Sequence, residues 1–202
     1  MWDIAQKHEK DWWGNCCNTL GEEMKQLVYA EKMGLKFIEK DGRPFIIDLE
    51  GKKVLDIGGG PCSLLLKTIN SPLRVVIDPC EYPSWVEKRY IEAGIEFGQF
   101  TGEEIPEDII QKFDEVWIYN VLQHVQDPEK VIQNAKRAGK VVRIFEWIDA
   151  ETNEMHPHSL KELDLDKWLM PMQVVTDKTY TKGVEYLENI KGCTGNCYYG
   201  TF

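Results

Sequence analysis

Apolar positions in this chain gather into short runs separated by amphipathic stretches. Residues 54–57 (VLDI), 74–77 (RVVI), 95–97 (IEF), 113–120 (FDEVWIYN) and 140–148 (KVVRIFEWI) are the strand-length runs. They are nearly continuous, as strands covered on both faces must be. Between them, residues 62–70 (CSLLLKTIN), 83–93 and 128–138 read as helices. Asp127 is the N-cap and Pro128 the first residue of the last of these. Residues 20–33 carry an apolar stripe of Met24, Leu27, Val28 and Met33, opened by the capping box Thr19-x-x-Glu22 and stopped by Gly34. Residues 35–47 read as a hairpin turning at Asp41-Gly42. A helix over 159–169 precedes a tail with two strands, one at 174–175 or 184–187 and one at 197–202.

Residues 54–61 (VLDIGGGP) join a buried strand to a sharp turn. Asp56 interrupts the apolar run, and burying its carboxylate is costly without a partner. Gly58, Gly59 and Gly60 permit a tight bend and close approach of a ligand to the backbone. The next strand ends at Asp78, 20 residues beyond Gly58, the distance at which an acid bonds ribose hydroxyls in dinucleotide-type folds. The G-x-G-x-x-G fingerprint is only half matched, because Ser63 stands at the third glycine position. An acid two residues before the first glycine suits a ligand that carries a cation.

D-x-G-G-G-P followed by an acid after the next strand resembles the class I S-adenosylmethionine-dependent methyltransferases. Residues 120–128 (NVLQHVQDP) resemble a second signature of that family. The resemblance covers residues 49–148 and implies an α/β fold: a Rossmann-like seven-stranded, mostly parallel sheet with helices on both faces and an antiparallel last strand. It implies a single domain over residues 1–202, with 1–34 a variable helical lid in which Trp12, Trp13 and Tyr29 are candidate pocket residues. It implies S-adenosyl-L-methionine as cofactor, with Asp56, Gly58, Gly59 and Gly60 at the methionine portion and Asp78 on the ribose. Gly102 and Glu103 are the candidates near adenine, and Asn120 and Val121 those beside methionine. His124, Glu146 and His156 are the candidates for catalysis, should the acceptor have to lose a proton.

Composition narrows the partners. A chain of 202 residues fits one domain and buries enough surface to need no staple. A net charge of −10 without a Lys/Arg cluster disfavours nucleic acid and fits a small-molecule substrate. No run is long enough to span a membrane, and the first residues lack a secretory signal, so a cytoplasmic location is expected. The six cysteines are then expected to be reduced. The pairs Cys16-Cys17 and Cys193-x3-Cys197 make poor zinc spacing, and no metal is expected. Oligomeric state and acceptor are not legible. An oxidoreductase using NAD, or an adenosylmethionine-binding protein that does not methylate, would share the glycine turn.

Overall fold

The computed structural model describes residues 2–170 and 180–202. In chain order the elements are α1 (Trp2–Trp13), α2 (Leu20–Lys32), β1 (Phe37–Lys40), β2 (Arg43–Asp48), β3 (Val54–Ile57), β4 (Thr68–Ile69) and β5 (Arg74–Ile77). There follow α3 (Ser84–Glu92), β6 (Glu96–Gly98), β7 (Phe113–Tyr119), α4 (Pro128–Ala138), β8 (Gly139–Ile148), α5 (Glu162–Leu169), β9 (Thr181–Ile190) and β10 (Cys193–Thr201).

Seven strands form one sheet in the order β6-β5-β3-β7-β8-β10-β9. The pairs from β6 through β8 are parallel, while β10 runs antiparallel to both neighbours. The expected architecture is therefore present. The reversal at β3, where the chain crosses from β5 and β6 to β7, puts a crevice beyond the carboxyl ends of the strands. The hairpin β1-β2 forms a separate three-stranded sheet with β4.

Alternation along the strands builds two cores. Leu55, Ile57, Val116, Ile118 and Ile144 pack under Val131, Ile132 and Ala135 of α4. Val54, Val76, Trp117, Tyr119 and Phe145 pack against Tyr29 of α2, Met33 just after it and Tyr90 of α3. Arg143 on the second face is neutralised by Glu115, whose carboxyl the guanidinium holds down at about 2 against the pull of burial.

Several local expectations are corrected. No helix spans 62–70; two short 3-10 turns, Gly60–Cys62 and Leu64–Lys67, lead into β4. Ser63 interrupts them with extended backbone (φ −44°, ψ 143°), and its hydroxyl donates to Asp56 Oδ2 at 2.5 Å while accepting from the Leu65 amide. The polar pairing, which the apolar composition does not reveal, displaces the helix. Thr19 makes no capping bond, because its hydroxyl donates to Glu23 instead. The buried face of α2 is Gln26, Tyr29 and Ala30, continued by Met33 at its C-cap; of the expected stripe only Met33 is buried, and Met24 is 39% exposed. Of the tail strands, 174–175 lies outside the described residues, 184–187 falls within β9, and 197–202 overlaps β10 up to Thr201.

Candidate active site

The glycine turn is shaped by close approaches. Gly58 (φ 72°) donates to the Ile77 carbonyl at 2.7 Å, and a Cβ there would lie 2.6 Å from a Val121 methyl. A Cβ on Gly59 would lie 2.7 Å from Asp56 Oδ2. Gly60 (φ 61°) donates to Asp78 Oδ2 at 3.0 Å, and its carbonyl accepts from the Tyr90 hydroxyl. Gly58 and Gly59 therefore have no room for a side chain, while Gly58 and Gly60 adopt the left-handed backbone that glycine adopts freely.

Asp56 lies fully buried beneath this turn. Its Oδ2 accepts from the hydroxyls of Ser63 and Tyr119, both at 2.5 Å, while Oδ1 has no partner among the described residues. Burial pushes its carboxyl up to about 7 despite those two bonds. Asp78, at the end of β5, takes the Cys80 amide and the Tyr82 hydroxyl on Oδ1 and the Gly60 amide on Oδ2. Burial raises it to about 6. A carboxylate has about four lone-pair sites, so one remains for a ligand hydroxyl.

A cleft opens over the turn, lined by Ile57, Gly58, Asp78, Cys80, Thr101, Gly102, Glu103, Asn120, Val121 and His124. Trp2, Gln6 and Glu9 of α1 form its opposite wall. The lining contains carboxylates from Glu9, Asp78 and Glu103 and no Lys or Arg. Gly102 lies close to the core: a Cβ would be 2.9 Å from Ile57 and Val131, and its carbonyl accepts from Asn134. Glu103 accepts from the amides of Gln126 and Asp127, tying its loop to the start of α4.

The loop after β7 is held from below. Asn120 adopts φ 56°, and the next two amides, Val121 and Leu122, donate to the Glu146 carboxylate at 3.0–3.2 Å. Glu146 is fully buried and outside the cleft lining. Burial pushes its carboxyl up to about 8, against the three amide bonds. His124 Nδ1 lies 3.0 Å from the Met155 carbonyl and therefore carries the proton; Nε2 then accepts from the Gln123 amide at 3.4 Å. Burial lowers His124 to about 4. His156 packs edge-on against His124, 4.7 Å between ring centroids, and does not line the cleft; burial lowers it too to about 4. His158 braces the same loop through the Val125 carbonyl.

Gly58, Asp78, Gly102, Glu103, Asn120, Val121 and His124 thus line one cleft, whereas Asp56, Gly59, Gly60, Glu146 and His156 lie outside its lining. Tyr29 is a core residue stacked on Phe145, not a pocket residue. Trp13 does reach the site, 3.5 Å from where a Cβ of Gly60 would stand, whereas Trp12 is 62% exposed. Glu9, Gln6, Tyr82 and Tyr119 were not among the candidates. The available signal for α1 is the spacing of Trp2, Gln6, Glu9 and Trp13, which places them on one helix face. Among the described residues no group of three or more His, Cys, Asp or Glu could hold a metal, and no helix is long and apolar enough to cross a membrane.

The family described as "Methyltransferase domain" matches residues 55–141. Ubiquinone biosynthesis O-methyltransferase of Pseudomonas syringae pv. tomato is 35% identical over 97 residues, 46% of this chain and 42% of that protein. The chain thus spans less than half the length of that curated relative. Among solved structures, 1,6-didemethyltoxoflavin-N1-methyltransferase of Burkholderia thailandensis, with bound 1,6-didemethyltoxoflavin and S-adenosylhomocysteine, superposes with a TM-score of 0.60. That likeness is at 12% identity over 98% of this chain and 86% of that one. The N-methyltransferase NodS of Bradyrhizobium japonicum superposes at 0.55, with 14% identity over 90% of this chain and 93% of that chain. At these identities the structural likeness establishes a shared fold.

Proposed function

We infer that this chain, which belongs by fold and by its matched domain to the class I S-adenosylmethionine-dependent methyltransferases, transfers a methyl group from S-adenosylmethionine to a small molecule. One observation carries the reading. It is that Gly58 of the glycine turn and Asp78 at the end of the neighbouring strand line one cleft, with the buried Asp56 carboxyl and its unpartnered oxygen beneath the turn. The donor set fits the cofactor: Asp78 retains a lone pair for a ribose hydroxyl, and Asp56 puts negative charge beneath the turn, where the amino-acid end would lie. Asn120 and Val121 flank that end, and Thr101, Gly102 and Glu103 form the wall left for the adenine.

When bound, the cofactor supplies an electrophilic methyl group. The chain's own residues position and enclose. Glu146 fixes the amides of Val121 and Leu122, which sets the far wall of the cleft. Holding reactants at near-attack distance supplies most of the acceleration such a transfer needs. Trp2 and Trp13 cover the turn and exclude water. His124, neutral through the physiological range, orients the acceptor rather than carrying a permanent charge. A lining without Lys or Arg favours a neutral or cationic acceptor over a phosphate or carboxylate. A cytoplasmic setting, and one catalytic domain lidded by its N-terminal segment, belong to the same reading.

Calorimetry with S-adenosylmethionine, S-adenosylhomocysteine and NAD tests the class, and incubation with methyl-labelled cofactor and a small-molecule cell extract tests the reaction. Binding of both adenosyl ligands and a labelled small product are expected. Tighter binding of NAD would overturn the reading. Cofactor binding without any methylated product would leave a binding protein or a non-methylating enzyme.

A further inference from the structure

Helix α1 closes the cleft but is only lightly attached. Ala5 is its one buried residue among those described. Its tethers are Gln6 to Cys80 at 3.3 Å, His8 to Glu154 at 3.3 Å and Lys10 to Glu81 at 3.1 Å, the last two exposed. Its inward carboxylate is Glu9. Trp13 Nε1 donates to Glu9 Oε1 at 2.7 Å, and the same indole rests over Gly60. Glu9 Oε2 makes no hydrogen bond among the described residues. The nearest cationic candidate is His124 Nδ1 at 3.8 Å, and that nitrogen is already engaged by the Met155 carbonyl. The lysines of α1 do not help: Lys10 is turned to Glu81 outside, and Lys7 is exposed. Glu9 is therefore a lid carboxylate with one free oxygen, facing Asp78 across a cleft that offers no compensating cation, while Asp56 holds an unpartnered oxygen under the floor.

Resting on the cofactor reading above, we propose that Glu9 makes the lid selective for charge: its free oxygen meets the positive charge of bound S-adenosylmethionine and draws α1 shut. The cofactor carries an ammonium, a carboxylate and a sulfonium, net +1 by ordinary chemistry. The demethylated product lacks the sulfonium and is neutral overall. A ligand shifts a lid only by its differential affinity for the open and closed states. Glu9 gives the cation that difference and withholds it from the product. Loss of the sulfonium charge on transfer then loosens α1 and frees the product, a step that often limits turnover in lidded enzymes. The repulsion between Glu9 and Asp78 in the ligand-free protein works the same way, because it is relieved only when a cation enters between them.

The test is calorimetry on the full chain and on Glu9→Gln with three probes: S-adenosylmethionine, sinefungin, which carries an ammonium in place of the sulfonium, and S-adenosylhomocysteine. Glu9→Gln should weaken the two cationic probes by about fivefold and S-adenosylhomocysteine by less than about twofold, the scale of one partly exposed charge pair. Glu9→Asp should recover part of the loss. Limited proteolysis within residues 2–13 gives a second readout, with S-adenosylmethionine protecting the native helix more than S-adenosylhomocysteine does. Equal weakening of all three probes would make Glu9 a packing residue, and no weakening would remove it from the site; either result overturns the proposal while leaving the cofactor reading intact. A native chain that binds none of the three would sink both.

Discussion

Asp78 shows how a residue legible in sequence acquires a second task in the fold. Its distance from the glycine turn points to a ribose contact, yet three internal donors already use it. Asp78→Ala should weaken S-adenosylmethionine binding by about 2–4 kcal/mol, because a charged acceptor is lost. It should also lower ligand-free stability, because the buried amides of Gly60 and Cys80 lose their acceptor. Tyr82→Phe separates the tasks. The ring keeps its shape, the cost in stability should stay near 1 kcal/mol or below, and a lone pair on Oδ1 is released. Cofactor affinity should hold or rise, read by calorimetry beside thermal melting. If Tyr82→Phe weakens binding as much as Asp78→Ala, the phenol is the ligand contact and Asp78 its support. D-x-G-G-G-P was readable because each of its residues answers a local demand of turn and strand. Tyr119 was not, since its hydroxyl meets Asp56 and the Leu64 amide only when the fold brings distant parts of the chain together, and Tyr82, four residues after Asp78, lies in an irregular segment with no period to reveal the contact.

Whole elements were readable where period and caps agree. The strand at 113–120 and the helix opened by Asp127 and Pro128 appear as β7 and α4, and the Asp127 side chain accepts from the Lys130 amide as an N-cap should. The stretch 62–70 was misread because Ser63 is committed to Asp56, a pairing no local pattern announces. Glu146 belongs to this scale too. Its place near the end of β8 made it a candidate base, but its carboxylate fixes the loop that carries Asn120 and Val121. Glu146→Ala should destabilise the protein by about 2–3 kcal/mol, since two buried amides lose their acceptor. It should also loosen the far wall of the cleft and weaken cofactor binding. Urea denaturation and calorimetry read the two effects. A Glu146→Gln protein that keeps both stability and affinity yet loses turnover would return Glu146 to a catalytic role.

At the scale of the whole molecule, charge links fold and site. The chain carries a net −10, and Asp78 in the cleft lining, Asp56 beneath the glycine turn and Glu146 behind the loop after β7 are buried acids. Burial raises Asp56 to about 7 and Glu146 to about 8, well above the values these acids have in an unfolded chain. An acid raised by folding binds more protons in the folded state, so stability falls as pH rises through that range. The two buried histidines act oppositely. Lowered to about 4, His124 and His156 stay neutral when folded, so their effect raises stability with pH only up to about 6.5, where the unfolded imidazole also loses its proton. Below that point the trends oppose each other; above it the raised acids Asp56 and Glu146, with the end of the Asp78 titration, still lose protons, and growing self-repulsion of a negative chain acts in the same direction. The ligand-free melting temperature should therefore fall between pH 6.5 and pH 8. A cation bound over the turn stabilises the ionised acids near it, Asp56 and Asp78 together with Glu9, so with saturating S-adenosylmethionine the fall should shrink. For the same reason affinity should rise across that range as Asp56 ionises. Around pH 6.5, binding should release protons, seen as a dependence of the calorimetric heat on the ionisation enthalpy of the buffer. A ligand-free melting temperature that is flat or rising over this interval would mean that the buried acids ionise without cost, and the cleft would then have no stored demand for a cation.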